Sequence, residues 1–166
     1  MVKIVESIWH LLLHMQRVIL VICSLLLALG LGLTVIMRYI LKIDLFGLEE
    51  LIVIPAFWLY FIGASFGTYK KSHISAELVS VYIKSKKVKI YIEFLTSLVT
   101  TILCFIVSYW SIQFFVWSFL SGAKSSAWKI PQYIPHSAIL VGFLLMSLYF
   151  IVQFISKSKE LVALYK

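Results

Sequence analysis

The polar positions of this chain gather in clusters, and between the clusters lie four long runs with little or no charge. The clearest run is bounded by Glu50 and Lys70, which enclose 19 residues without a formal charge. A helix needs about 20 apolar residues to cross the hydrocarbon core of a bilayer. Comparable runs extend from Val18 to Met37, from about Ile90 to Leu120 and from about Ile134 to Ile155. The pattern predicts an all-α integral membrane protein, a single domain over residues 1–166 with spans at about 18–37, 51–69, 90–120 and 134–155. Two shorter periodicities add to it. Lys3, Ser7, His10, His14 and Arg17 recur at steps of three and four opposite Val5, Ile8, Trp9, Leu12 and Met15, which predicts an N-terminal amphipathic helix in the interface. Ile74, Leu78, Val81 and Tyr82 share a helical face just before Lys84, Lys86, Lys87 and Lys89, which predicts a short interfacial helix after the second span.

Within the spans, small residues mark where helices can approach. Gly63 and Gly67 stand four apart in the second span; such a pair either forms a flat contact face for another helix or merely faces lipid. Along the third span, Ser97, Thr100 or Thr101, Cys104, Ser108 and Ser111 form a weakly polar seam at helical spacing. That span is longer than a bilayer requires, so it tilts or protrudes. Its far end collects Tyr109, Trp110, Phe114, Phe115, Trp117 and Phe119, the composition of an interfacial belt. Gln113 and Gln153 are the deepest strongly polar side chains and are expected to bond between helices. Pro55 falls in the first turns of the second span, where a missing N–H costs little.

Composition strengthens the membrane assignment. Hydrophobic residues make up 62% of the 166 and charged residues 13%, about half the charged share of a soluble domain. The four spans leave no room for a soluble domain of ordinary size. A net charge of +8 raises the question of nucleic acid, but the lysines flank apolar spans instead of mixing with exposed aromatics, and no nucleic-acid partner is expected. Their distribution orients the chain. Lys3, Arg17, Lys70, Lys71, Lys84, Lys86, Lys87, Lys89, Lys157, Lys159 and Lys166 fall on one side of a four-span chain, and Arg38, Lys42, Lys124 and Lys129 on the other. The positive-inside rule then puts both termini and the lysine loop in the cytoplasm, and Arg38 to Glu50 and Ser121 to Tyr133 outside.

Candidate chemistry is sparse. Cys23 and Cys104 lie in apolar runs without a CxxC pair and serve packing. His10 and His14 have no third ligand nearby and belong to a solvated stripe, so neither a metal nor a cofactor is expected. Ionisable residues inside spans usually mark an ion or substrate path, and the centres of these spans hold none. Glu93 lies near the start of the third span, where it can reach headgroups or pair with a lysine. An enzyme is therefore not expected, and neither is a self-sufficient small exporter.

The order of short motifs is more specific. Arg38-Tyr39 closes the first span and Glu49-Glu50 opens the second. Phe57-Trp58-Leu59 and Phe61-Ile62-Gly63-Ala64 lie within it, and His73-Ile74 follow the lysines. The steps Ile130-Pro131 and Ile134-Pro135 precede the last span. In this order the chain resembles the small membrane subunit, the DctQ type, of tripartite ATP-independent periplasmic (TRAP) transporters. One departure is that Phe46 and Leu48 stand where a tryptophan often precedes the acidic pair. The resemblance implies a scaffold subunit in the bacterial inner membrane, part of a sodium-coupled importer of organic acids such as sialic acid or C4-dicarboxylates. Its partners would be membrane lipids, a large membrane subunit that carries the substrate and a periplasmic binding protein that delivers it. Arg38, Glu49, Glu50, Trp58, Gly63, Gly67 and His73 are then candidates for the contact with the large subunit, with Arg38 ion-paired to Glu49 or Glu50 within the chain or across to that subunit. Lys42, Asp44, Lys124 and Lys129, on the outward segments, are candidates for docking the binding protein. No substrate ligand is expected in this chain.

Overall fold

The structure, a computed structural model, describes residues 2–43, 46–70 and 86–164. Among the described residues there are four α-helices: α1 (Val2–Val35), which continues through a π-helical turn (Ile36–Ile40), α2 (Leu48–Tyr69), α3 (Lys86–Ser121) and α4 (Tyr133–Leu164). Each is long and apolar enough to cross a membrane. The interfacial helix expected over 74–83 lies outside the described residues, together with Asp44 and His73.

The amphipathic segment at the N-terminus is not a separate element. No Gly or Pro interrupts the chain from Val2 to Leu29, so nothing offers it a place to turn, and it runs on into the first span as one helix. Ser7, His10, His14 and Arg17 of the polar stripe are exposed; of the opposite side Trp9 and Leu12 are half-buried but Met15 is exposed, and the buried positions are Leu13 and Gln16.

Helix lengths define two ends of the molecule. At 22 residues α2 is about 33 Å long, one bilayer, whereas the 34, 36 and 32 residues of α1, α3 and α4 give about 48 to 54 Å. At the loop end, the start of α2 is tied to the connection between α3 and α4. At the opposite, lysine-rich end, Tyr69 of α2 packs edge-on or tilted against Trp9 of α1 and Tyr149 of α4. α4 continues past that level to Leu164, so the longer helices overhang α2 there. Pro55 lies past the first turn of α2; the carbonyl of Leu51 therefore lacks its usual donor, a defect that membrane helices tolerate.

Packing is a row, not a ring. α3 lies along α4, α4 along α2 and α2 along α1, and no extensive contact closes the row between α1 and α3 among the described residues. The α3–α4 pair follows the predicted seam. Thr101, Cys104, Ser108, Ser111 and Ser118 are buried, at steps of three, four and seven, the spacing by which two antiparallel helices keep one seam facing its partner. The Ser108 hydroxyl lies 2.6 Å from that of Ser147 and donates to the Phe143 carbonyl at 3.2 Å. Cys104 Sγ is 3.4 Å from the Ser147 hydroxyl. Thr101 takes the seam position, while the Thr100 hydroxyl bonds the Thr96 carbonyl of its own helix.

α2 and α4 approach each other closely at Gly142. A Cβ there would stand 2.7 Å from Phe61 Cβ and 3.0 Å from the Phe61 carbonyl oxygen, so only glycine fits. At Gly63 the space is ordinary: a Cβ would meet Leu20 of α1 at 3.6 Å. Gln153 behaves as predicted, its amide donating to the Thr68 carbonyl at 2.7 Å, near the C-terminal end of α2. Gln113 does not: it is exposed and its amide donates to Tyr109 Oη, one turn back on α3.

Candidate functional site

The most organised surface away from the helices is a cap at the loop end. After Ser121 the chain turns through Gly122 (φ 60°) and closes a short antiparallel hairpin: Gln132 N–H donates to the Ala123 carbonyl at 2.9 Å, and Ser125 N–H to the Ile130 carbonyl at 2.9 Å. Ile130 N–H donates to the Ser125 hydroxyl, and Lys129 takes the left-handed conformation (φ 54°) that the tight turn needs. The hairpin aims two amides at one carboxylate. Ala127 N–H donates to Glu50 Oε1 at 2.9 Å and Trp128 N–H to Glu50 Oε2 at 3.0 Å. Charge-assisted bonds of this kind are the stronger sort. Gly47 precedes α2 at φ 89°, and a Cβ on it would fall 2.6 Å from Ala127 Cβ and 2.7 Å from Trp128 Nε1. Two features of Gly47 thus converge, a backbone angle and a close approach, both of which glycine alone supplies.

Around this cap the surface is mixed. Lys42, Lys124 and Lys129 are exposed. Between them stand Tyr39, Ile40, Phe46 and Trp128, with Phe46 84% exposed. Just inside the cap, Ser118 Oγ lies 2.7 Å from His136 Nδ1, and the imidazole packs 4.6 Å from the Phe114 ring and 6.3 Å from Phe57.

At the lysine-rich end several polar groups meet across helices. Lys157 bridges Glu93 of α3 at 2.7 Å and Glu160 of its own helix at 2.8 Å, which gives Glu93 the lysine partner expected for it. Tyr149 Oη donates to Gln16 Oε1 at 3.1 Å. Gln16 Nε2 is buried without a partner. Among the described residues no cluster of His, Cys, Asp and Glu is arranged to hold a metal ion.

Residues 27–160, most of the chain, match the family described as Tripartite ATP-independent periplasmic transporters, DctQ component. This chain belongs to the DctQ family. No curated protein matches it. DctQ is a family of transporter components and not of enzymes, and with four spanning helices this member is a multi-pass membrane protein.

The residues singled out in this DctQ chain are not gathered in one place. Arg38 sits exposed in the π-helical turn, Glu49 is exposed and Trp58 half-buried. Arg38 takes no part in the ion pairs among the described residues, and Glu50 is engaged by the hairpin amides. Gly63 faces α1 through Leu20, and Gly67 is half-buried in the same helix. His73 and Asp44 lie outside the described residues. Three contributors gave no clear sequence signal: the hairpin amides, which are backbone; Gly142, a lone glycine; and Gln16, a single amide between Met15 and Arg17.

Proposed function

We propose that this chain is the static scaffold subunit of a sodium-coupled TRAP transporter that imports organic acids, carboxylates such as sialic acid or C4-dicarboxylates. In this reading it stands in the bacterial inner membrane with both termini cytoplasmic, supports a large membrane subunit that binds sodium and substrate, and helps a periplasmic binding protein to dock. One observation carries the reading. The spans carry no charged side chain at their centres, and Ser108, Ser147 and Gln153 there bond to other helices of this chain. Such helices offer no ion path. They do offer apolar faces, since an open row leaves α1 and the outer side of α3 uncovered by the chain itself.

The large subunit then packs on one of these faces, and Arg38, Glu49, Trp58 and the glycines of α2 remain candidates for that contact. Lys42, Lys124 and Lys129 ring the cap, where exposed charge suits a transient encounter whose strength falls with salt. Asp44 and His73 belong to the same two sets of candidates.

Reconstitution tests the proposal. Vesicles with this chain alone are expected to take up no carboxylate, and uptake is expected only when the large subunit and the binding protein are added. Sodium-driven uptake by the chain alone would end the scaffold reading. Lys124→Glu and Lys129→Glu are expected to raise the concentration of binding protein needed for half-maximal uptake at an unchanged maximal rate. A changed substrate preference or sodium dependence would instead put this chain at the transport site. For the orientation, a cysteine introduced at position 126 should react with an impermeant reagent in intact spheroplasts and one at position 85 should not.

A further inference from the structure

We propose that Arg17, Lys70 and Phe66 form a binding site for the phosphate headgroup of an anionic phospholipid, in the cleft between α1 and α2 at the lysine-rich end. Two cations from different helices meet one aromatic ring there. The Arg17 guanidinium lies 5.9 Å from the Phe66 ring centroid and Lys70 Nζ 5.1 Å from the same centroid. The register of the two helices makes the meeting systematic. α1 runs antiparallel to α2, with Gly30 beside Ile52 and Gly63 beside Leu20, so the next turn brings Arg17 level with Phe66. Lys70 follows the last residue of α2, the helix whose length is that of one bilayer. The cleft therefore opens at the membrane boundary, the depth of lipid phosphates.

Both cations are exposed, and among the described residues neither is in an ion pair. Two like charges gathered at one ring repel each other, and an anion bound beside them relieves that repulsion while giving the guanidinium an acceptor for its fork of N–H donors. The ring adds attraction to the cations but no negative charge, so the site stays electropositive. Basic clefts between membrane helices on the positively flanked side take anionic lipid headgroups in this way. Trp9 and Tyr69, 6.1 Å apart, continue the aromatic floor toward α4, a surface that suits the glycerol and upper acyl region of a lipid and not a free ion.

The purified full chain, titrated with phosphatidylglycerol or with phosphatidylethanolamine of the same acyl chains, provides the test by native mass spectrometry. Tighter binding of the first phosphatidylglycerol is expected. Loss of each cation should weaken it roughly fivefold, so Arg17→Gln, Lys70→Gln and their combination should erase the preference in steps. Arg17→Lys with Lys70→Arg should retain it, as should Lys124→Gln with Lys129→Gln at the other end. If the combined variant loses its helical circular dichroism, the two single variants decide. Equal binding of the two lipids by the unaltered chain, or a preference that survives removal of both cations, would overturn the proposal. So would displacement of phosphatidylglycerol by millimolar inorganic phosphate, which would make the site one for free anions.

Discussion

Along α3, Thr101, Cys104, Ser108 and Ser111 are buried and two of the hydroxyls reach across to α4, whereas along α1 from Val18 to Val35 the side chains of Leu25, Leu26, Leu29 and Leu33 stay exposed. Both stretches are apolar helix in the same membrane. They differ in side-chain size at the positions that could face a neighbour. In lipid no hydrophobic force draws helices together, so close packing and hydrogen bonds between helices decide which surfaces meet. Small side chains on α3 let its backbone approach α4 closely; the leucines of α1 hold other helices at a distance and suit lipid or the face of a second protein. One region is thus an internal joint, and the other an external wall.

The sharpest way to break this contrast is by adding bulk. Gly142→Leu should destabilise the chain by about 3 kcal/mol or more, because the atoms it meets at 2.7 and 3.0 Å belong to the Phe61 backbone and Cβ, which cannot rotate away. Gly32→Leu, where a Cβ meets nothing within 4 Å, should leave the thermal midpoint in detergent essentially unchanged. Equal losses from the two changes would erase the distinction between joint and wall.

Removing polar contacts from the joint is a smaller perturbation. Ser108→Ala with Ser147→Ala deletes the hydroxyl pair and the bond to the Phe143 carbonyl, and should cost about 1 kcal/mol, the usual scale for hydrogen bonds between membrane helices. Urea or sodium dodecyl sulfate titration of helicity reads the difference. Leu25→Ala with Leu29→Ala, on the wall, should not alter that titration but should lower recovery of the large subunit in co-purification. Unchanged recovery would assign this face to lipid.

The cap responds locally. Glu50→Gln keeps the shape of the side chain and removes its charge, so the Ala127 and Trp128 amides should exchange with deuterium faster, by about an order of magnitude. Helix amides in α3 and α4 should keep their protection. If the hairpin amides are as slow in the variant as in the parent, the hairpin holds itself and Glu50 is dispensable to it.

How much of this was legible depended on whether the signal was periodic. The seam of α3 could be read because hydroxyls and a thiol recur at three and four, although Thr100 and Thr101 could be separated only by seeing which of them meets Phe150. Gln153 and Gln113 look alike as isolated amides in apolar runs. The first reached the Thr68 carbonyl near the end of α2, while the second turned to Tyr109 one turn away, and nothing local distinguishes those outcomes. Gln16 drew no expectation from the sequence, yet it is 3% exposed, since Tyr149 comes from α4 to meet it. Glu50 announces a membrane boundary; its partners lie 77 and 78 residues further on, in backbone amides that carry no side-chain signature.

The sequence alone therefore determined the class of the protein, the four apolar runs long enough to span a membrane and the charge-free centres of those runs. The hydrocarbon core forces those features: an apolar run of sufficient length can satisfy its backbone there only as a helix, and an unpaired charge there is costly. Only the tertiary structure decided the order of the row, the contact of Gly142 with Phe61, the closure of Glu50 on the hairpin and the meeting of Arg17 and Lys70 on one ring. Each of those depends on residues far apart in the chain coming into register, and in a lipid medium that register is set by the fit of particular surfaces, which the pattern of apolar and polar positions does not encode.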